Sequence, residues 1–267
     1  MGTAVAGCSF LVSTDGLSGT VIVIVGGDGG GSDTGPAFEA GSGDASTPDV
    51  ADAGPPPPFC ASLSPKPVLC ADFDDGALTD YGDIQGGPPT LDTTVSTSAP
   101  QSMLAVVEAD AVNRFSKVAH AYTATPTSLQ GTFSIYVDEY DVTHDVELVA
   151  VQLAPNGTKS CIVTVAIRQN EWTLDESCDM GSTSLLSVSH SSSIFMKKNR
   201  WTRVSFAADF SARALSLSID DQRPFAGLAM GGPLANGPHT FGMGIAYLQT
   251  NATRAKVHFD DVVYDFH

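Results

Sequence analysis

Two short segments carry carboxylates whose spacing suits acid–base chemistry. EADAVN places Glu108 and Asp110 two positions apart, and EYDVTH does the same with Glu139 and Asp141. Alternate residues of a β-strand share one face, so each pair would point into the same cleft. Hydrolysis of a glycosidic bond needs two such carboxyl groups, one of them as proton donor. These four residues are therefore the first candidates for a catalytic site.

A histidine next to the second pair adds two further hypotheses. His144 would either replace a carboxyl group as the proton donor of a glycosidase or act with Tyr140 in a polysaccharide lyase. An acidic chain with few clustered arginines suits an anionic polymer badly, which disfavours the lyase. The chain has no GxSxG or HExxH motif and its histidines are scattered. The residue pattern thus favours a protein without catalysis, with Glu108, Asp110, Glu139, Asp141 and His144 as the candidates if it is an enzyme.

A sugar site would need an exposed aromatic ring among polar neighbours. The segment NEWTLDE offers Trp172 flanked by Asn170, Glu171 and Asp175. We predict that these four residues bind the ligand. The alternative is that Trp172 belongs to the core.

The charge of the chain excludes several classes of partner. The formal net charge is −17, and residues 1–58 hold 7 of the 30 acidic residues and none of the 13 basic ones. The remainder carries 23 acidic against 13 basic residues, a net of −10. A surface of this sign repels phosphate backbones and anionic lipids. We expect no nucleic-acid partner, while neutral ligands and divalent cations are compatible with this charge.

Five cysteines indicate an oxidising compartment. Cys60 with Cys70 and Cys161 with Cys178 form two local pairs, each able to close a loop between neighbouring strands. The alternative is five buried thiols. The odd cysteine, Cys8, follows Val-Ala-Gly. This sequence resembles the lipobox of bacterial lipoproteins, which implies lipidation of Cys8, secretion across the inner membrane and an outer-membrane or cell-surface location. Only seven residues precede Cys8, which is short for a signal peptide and suggests a start upstream of the first residue.

The first 58 residues have the composition of a tether. VIVIVGGDGGGSDTG, from residue 21, lacks the lysine of a phosphate-binding loop and does not match GxGxxG. Gly, Asp, Ser and Pro dominate up to the run of four prolines that ends at Pro58, a composition that cannot bury a core. We predict a lipobox-containing segment at 1–24, a disordered linker at 25–58 and one folded domain at 59–267.

The domain is predicted to be all-β. Short runs alternate apolar and polar residues, as in GTFSIYVD, CIVTVAI and RALSLSID, and no amphipathic helix stands out. Period-two alternation is typical of strands with one buried face. An antiparallel β-sandwich follows from many such runs separated by Gly, Pro, Asn and Asp.

Three longer segments resemble concanavalin A-like lectin, glucanase and laminin-G-like domains. WTRVSFAADFSARALSLSIDDQRP is similar to their W…V…V…D…L…VDG hairpin, AKVHFDDVVYDF to their closing strand and VLCADFDD to their first strand. The resemblance implies a jelly-roll sandwich preceded by the tail. Laminarinase-like members carry Glu, Asp and Glu along one strand, and neither EADAVN nor EYDVTH supplies the last Glu. The resemblance also implies a structural Ca²⁺ on the convex face, with Asp260, Asp72 and Asp74 as ligands, the alternative being strand-end caps.

Together these features favour a surface-tethered lipoprotein whose sandwich binds a carbohydrate or another cell-surface component without catalysis. It would touch the membrane through its lipid anchor alone. A divergent laminarinase-like glycoside hydrolase and a structural envelope protein are the alternatives, because this fold serves all three classes.

Overall fold

The computed structural model describes residues 58–154, 160–179, 185–231 and 237–267. The predicted lipidation site Cys8 and the segments 1–24 and 25–57 lie outside the described residues. Within them, two antiparallel sheets account for nearly all regular structure. Sheet A contains β1 (Leu69–Ala71), β3 (Thr90–Asp92), β4 (Ser102–Val107), β6 (Ser128–Tyr140), β11 (Trp201–Asp209), β12 (Ala214–Ile219), β13 (Gln222–Ala229) and β15 (Ala255–Phe266). Sheet B contains β2 (Asp83–Gly86), β5 (Ser116–Tyr122), β7 (Val146–Leu153), β8 (Ser160–Arg168), β9 (Glu171–Asp179), β10 (Leu185–Phe195) and β14 (His239–Leu248).

The order of the strands confirms the predicted antiparallel sandwich. Sheet A runs β13-β12-β11-β6-β15-β4-β3, with β1 also pairing with β15, and sheet B runs β10-β9-β8-β7-β14-β5-β2. The first and last strands are neighbours as expected, with Leu69 opposite Tyr264. The helical parts are one turn at Phe59–Ser62 and a 3-10 turn at Leu78–Asp80. No helix in the described ranges is long and apolar enough to cross a membrane.

The core lies between the sheets and follows the alternation in the sequence. On β6, Phe133, Ile135 and Val137 are buried. On β12, Leu215, Leu217 and Ile219 are buried while the two serines between them are partly exposed. Burial of each such side chain stabilises the fold by about 1.5–3 kcal/mol. The apolar face of every long strand therefore fixes which residues are left on the outer faces.

Two disulfides confirm the predicted cysteine pairs. Cys60–Cys70 joins the N-terminal helical turn to β1, and Cys161–Cys178 joins the directly opposed residues of β8 and β9. The second bridge fixes the register of the two strands that carry several of the predicted ligand residues.

Candidate functional site

Two cavities open on the outer face of sheet B, and we call them together the sheet B groove. The first, of about 300 Å³, is lined by Asp145, Arg168, Gln169, Glu171, Thr173, Ser189 and Ser191. The second, of about 230 Å³, is lined by Gln85, Lys117, Ala119, Glu147, Ala150, Gln152, Ile162, Thr240, Gly242 and Ala246. The cavities adjoin, because Arg168 Nη2 lies 3.9 Å from Glu147 Oε1.

Small residues form the floor of the second cavity. Gly242 on β14 lies opposite Ala119 of β5 on one side and Ala150 of β7 on the other. Three neighbouring strands thus present almost no side-chain volume at the same level of the sheet. Longer polar side chains, among them Gln85 and Gln152, stand around this floor. The arrangement leaves room for a flat polar ligand surrounded by hydrogen-bonding groups.

The charged side chains of the second cavity are partly removed from water. Burial lowers the pKa of Lys117, opposed by the nearby carboxylate of Glu147. Burial raises the pKa of Glu147, opposed by the positive charge of Arg168. Both shifts have desolvation as their largest cause, so this part of the groove is a low-dielectric surface in which polar contacts are strengthened.

An ion-pair cluster occupies the first cavity. Arg168 donates from Nε to Asp175 Oδ2 at 2.9 Å and from Nη1 to Asp145 Oδ2. Burial by itself would lower the pKa of Arg168, but the charges of Asp175 and Asp145 outweigh burial and raise it. The guanidinium is therefore committed to protein carboxylates and stays charged.

An aromatic residue that the sequence did not single out lies beside the groove. Tyr247 of β14 is directly opposite Glu147 of β7, and the next pair, Leu248 and Val146, is fully buried. Because successive residues of a strand alternate between faces, Tyr247 lies on the outer face with Glu147. Tyr247 is 40% exposed, and its hydroxyl oxygen lies 3.5 Å from Thr250 Oγ1.

The predicted aromatic ligand residue, Trp172, is a core residue, and this prediction was wrong. Trp172 is only 1% exposed and shares the inner face of β9 with Leu174. The same alternation puts Glu171 and Asp175 on the outer face, where Glu171 lines the first cavity and Asp175 binds Arg168. Asn170 lies in the turn between β8 and β9, with a positive φ of 70°.

The candidate catalytic residues of the sequence lie elsewhere. Glu108 and Glu139 are bridged by Arg254, with both distances 3.0 Å. Asp110 is in an exposed loop after β4. Among the residues that the structure describes, none of these five candidates lines either cavity.

Asp141 and His144 form a local turn. Hydrogen bonds from Thr143 lower the pKa of Asp141 to about 2, and His144 Nδ1 lies 2.9 Å from its Oδ2. A carboxylate this acidic is a poor proton donor near neutral pH.

Two of the predicted calcium ligands, Asp260 and Asp72, accept hydrogen bonds from the protein, whereas Asp74 Oδ1 is buried without a hydrogen-bond partner among the described residues. Asp260 Oδ2 accepts from Thr97 N at 2.7 Å and Ser98 N at 3.0 Å, and its Oδ1 accepts from Asp261 N at 2.9 Å. Asp72 accepts from Cys60 N. Within the described ranges, no group of three or more acidic, His or Cys side chains is arranged to hold a metal ion. This donor set does not fit Ca²⁺ as it stands, and the ion stays a prediction.

No protein-family model matches the chain, and no curated protein matches it. Among solved structures, the chain is similar to an endo-β-1,4-glucuronan lyase from the fungus Trichoderma reesei, with a TM-score of 0.59 and 10% identity over 75% of this chain and 96% of that one. It is also similar to Cip1, a cellulose induced protein, with a TM-score of 0.54 and 14% identity over 73% and 96% of the two chains. These likenesses, with the two-sheet architecture, confirm the concanavalin A-like jelly roll expected from the sequence.

Proposed function

We propose that the protein binds a glycan in the sheet B groove and does not cleave it. The observation that carries this proposal is the groove itself, in which hydrogen-bonding side chains surround a floor of small residues next to the exposed ring of Tyr247. Sugars present both hydroxyl groups and flat C–H faces, so they match amides and hydroxyls combined with an aromatic ring. Likeness of fold to a glucuronan lyase and to Cip1 is compatible with a polysaccharide ligand, although a fold does not determine a function.

Ion pairing within the groove is the reason to propose binding without catalysis. Asp145 and Asp175 are both paired with Arg168, so both carboxylates are already engaged within the protein. Glycosidases need a second free carboxyl group besides the proton donor.

One observation favours the competing hydrolase. Glu147 has a raised pKa, as a general acid requires, and it lies in the groove. A hydrolase would therefore use Glu147 as its proton donor, and not the five residues first predicted.

The location of the protein is part of the proposal. Two disulfides suit an extracytoplasmic compartment. We infer that Cys8 is lipidated and anchors the domain at the cell surface through the linker at 25–58. Mass spectrometry of the native membrane fraction tests this inference, and an unmodified Cys8 with residues 1–7 still attached would refute it.

The first experiment is retention of the full chain on a panel of neutral, acidic and amine-bearing polysaccharides, with calcium or with chelator, while new reducing ends are recorded. Retention without new reducing ends is the expected result. New reducing ends without an unsaturated uronate product would establish the hydrolase rather than a lyase, and Glu147→Gln should then abolish the cleavage. Absence of retention on every polymer would contradict glycan binding and favour the structural envelope protein.

A further inference from the structure

The charged side chains of the sheet B groove indicate which class of glycan it binds. Among the charged side chains that line the described cavities, together with Asp175, the carboxylates outnumber the cations by four to two. The carboxylates are Asp145, Glu147, Glu171 and Asp175, and the cations are Lys117 and Arg168. We infer that the groove binds an amine-bearing glycan, in which ammonium groups on the sugar rings meet these carboxylates. The inference rests on the proposed glycan-binding function.

Neither cation of the groove is well placed to receive an anionic sugar. Arg168 is committed to Asp145 and Asp175. Lys117 interacts electrostatically with the carboxyl group of Glu147 in the same cavity. A uronate carboxylate would therefore meet excess negative charge without a free guanidinium to pair with. An ammonium group on the sugar would instead supply the positive charge that the groove lacks.

Asp175 supplies the second observation. It is only 7% exposed, and it pairs in the sheet with Ser189, which lines the first cavity. Its Oδ2 accepts the hydrogen bond from Arg168, but Oδ1 is buried and has no hydrogen-bond partner among the described residues. A buried carboxylate oxygen without a donor leaves negative potential uncompensated on this face of the sheet. That potential favours a cationic ligand in the cavity beside it.

Glu171 is the carboxylate placed to contact the ligand. It lines the first cavity, is partly exposed, and accepts a hydrogen bond from Ser191 Oγ. Three hydroxyl-bearing residues, Thr173, Ser189 and Ser191, line the same cavity. A carboxylate surrounded by hydroxyl groups matches an amino sugar, which carries an ammonium group between hydroxyl groups.

The test is calorimetric titration of the full chain, at about 0.15 M salt and mildly acidic pH, with three short oligosaccharides of equal length. One is β-linked glucosamine, the second is its N-acetylated form and the third is a glucuronate oligomer. We expect the glucosamine oligomer to bind at least ten times more tightly than the other two. Short ligands and this salt concentration limit the long-range attraction between an acidic protein and a polycation.

A matched pair of variants separates the groove from the overall charge. Glu171→Gln should reduce affinity for the glucosamine oligomer several-fold. Asp221 is exposed in the turn between β12 and β13 on sheet A, and Asp221→Asn should leave the affinity unchanged. Equal losses would mean unspecific attraction and would overturn the inference, as would equally tight binding of a lysine oligomer. Preference for the acetylated or glucuronate oligomer would overturn the ligand class but leave glycan binding intact. No binding of any sugar would contradict the proposed function itself.

Discussion

Glu147 and Tyr247 lie directly opposite each other on β7 and β14, and both face outward from sheet B. This pair joins a carboxyl group with a raised pKa to an exposed aromatic ring at the edge of the sheet B groove. The buried pair that follows, Val146 and Leu248, fixes both strands to the core. The proposed binding chemistry and the stability of the fold therefore depend on adjacent residues on opposite faces, and the two can be tested separately.

Removal of the Tyr247 ring should weaken glycan binding. Tyr247→Ala is expected to reduce affinity roughly five-fold, because one stacking contact is worth about 1 kcal/mol. Tyr247→Phe keeps the ring and should retain most of the affinity. The free energy of unfolding should change little in either variant, since the residue is 40% exposed. Calorimetry with the best ligand of the polysaccharide panel measures the effect, and equal affinities of the Ala variant and the parent chain would rule out a role for Tyr247.

A larger side chain at Gly242 should block the groove. A Cβ atom there would meet Lys117 Cδ at 3.6 Å and Ala150 O at 3.7 Å, which are ordinary contacts, and the φ angle is not in the left-handed region. Gly242→Leu is therefore expected to fold at least as stably as the parent, because glycine costs about 0.5–1 kcal/mol relative to alanine in a strand.

In Gly242→Leu, glycan affinity should fall by about ten-fold or more, because the leucine side chain would fill the floor between Ala119 and Ala150. The matched control is Ser218→Leu, which adds the same side chain to the outer face of sheet A. Unchanged binding by Gly242→Leu, with a normal melting temperature, would place the ligand somewhere other than the second cavity.

Loss of the β8–β9 disulfide should destabilise the domain. Replacement of Cys161 and Cys178 by serine opens a loop with a sequence separation of 17 and is expected to cost about 3 kcal/mol of unfolding free energy. The same strands carry Arg168 and Asp175, so ligand affinity should also fall at temperatures where the variant is folded. Denaturant unfolding and calorimetry measure the two effects. The corresponding serine variant of Cys60 and Cys70 is the control, because that bridge joins the N-terminal helical turn to β1 of sheet A and should not affect binding.

Alternation in the sequence is enough to predict the sandwich but not the site. The inward sets on β6, β8 and β12 are recognisable because each repeats with period two over several residues. The face of Trp172 is ambiguous in the sequence, because the segment NEWTLDE begins at a turn and a shift of one residue reverses every side chain. The outward position of Tyr247 could not be predicted from alternation either, because the register shifts between Met243 and Tyr247 and interrupts the alternation.

The groove itself depends on long-range pairing. Arg168 meets Asp145 and Asp175 only because β7, β8 and β9 lie side by side, with Asp145 and Arg168 23 positions apart in the chain. Spacing in one sequence does not carry that information. The small residues of the floor are likewise distant along the chain, and they come together only because the strands that carry them are paired in the sheet.

Calcium binding remains a prediction for Asp72, Asp74 and Asp260. If Ca²⁺ binds there, it must compete with the backbone hydrogen bonds to Asp260. The dissociation constant for Ca²⁺ should therefore lie in the micromolar to millimolar range that is typical of weaker calcium sites. Calorimetry of the full chain with CaCl₂ measures it, and Asp74→Asn should weaken any binding that is found. A flat titration up to millimolar calcium would refute the structural ion.

Asp260 should make the stability of the protein depend on pH. Burial raises its pKa from 3.8 to about 7, opposed by hydrogen bonds from Thr97 and Ser98. Between about pH 4 and pH 7, Asp260 therefore keeps its proton in the folded state, whereas the unfolded state has lost this proton. The unfolding free energy should fall as pH rises through this window. A tenfold difference in proton affinity between the folded and unfolded states corresponds to about 1.4 kcal/mol, so the total decrease is at most a few kcal/mol.

Asp260→Asn should flatten this decrease while lowering stability overall, because the amide cannot accept every hydrogen bond that the carboxylate accepts. Urea unfolding at pH 4, 5.5 and 7 measures the slope, and the slope is the informative quantity because it does not depend on the overall loss. Asp141→Asn is the control: the pKa of Asp141 is lowered to about 2, so its contribution changes below pH 4 and not across the window. An unchanged slope in Asp260→Asn would show that other buried carboxylates, such as Asp261 with its raised pKa, carry the pH dependence instead.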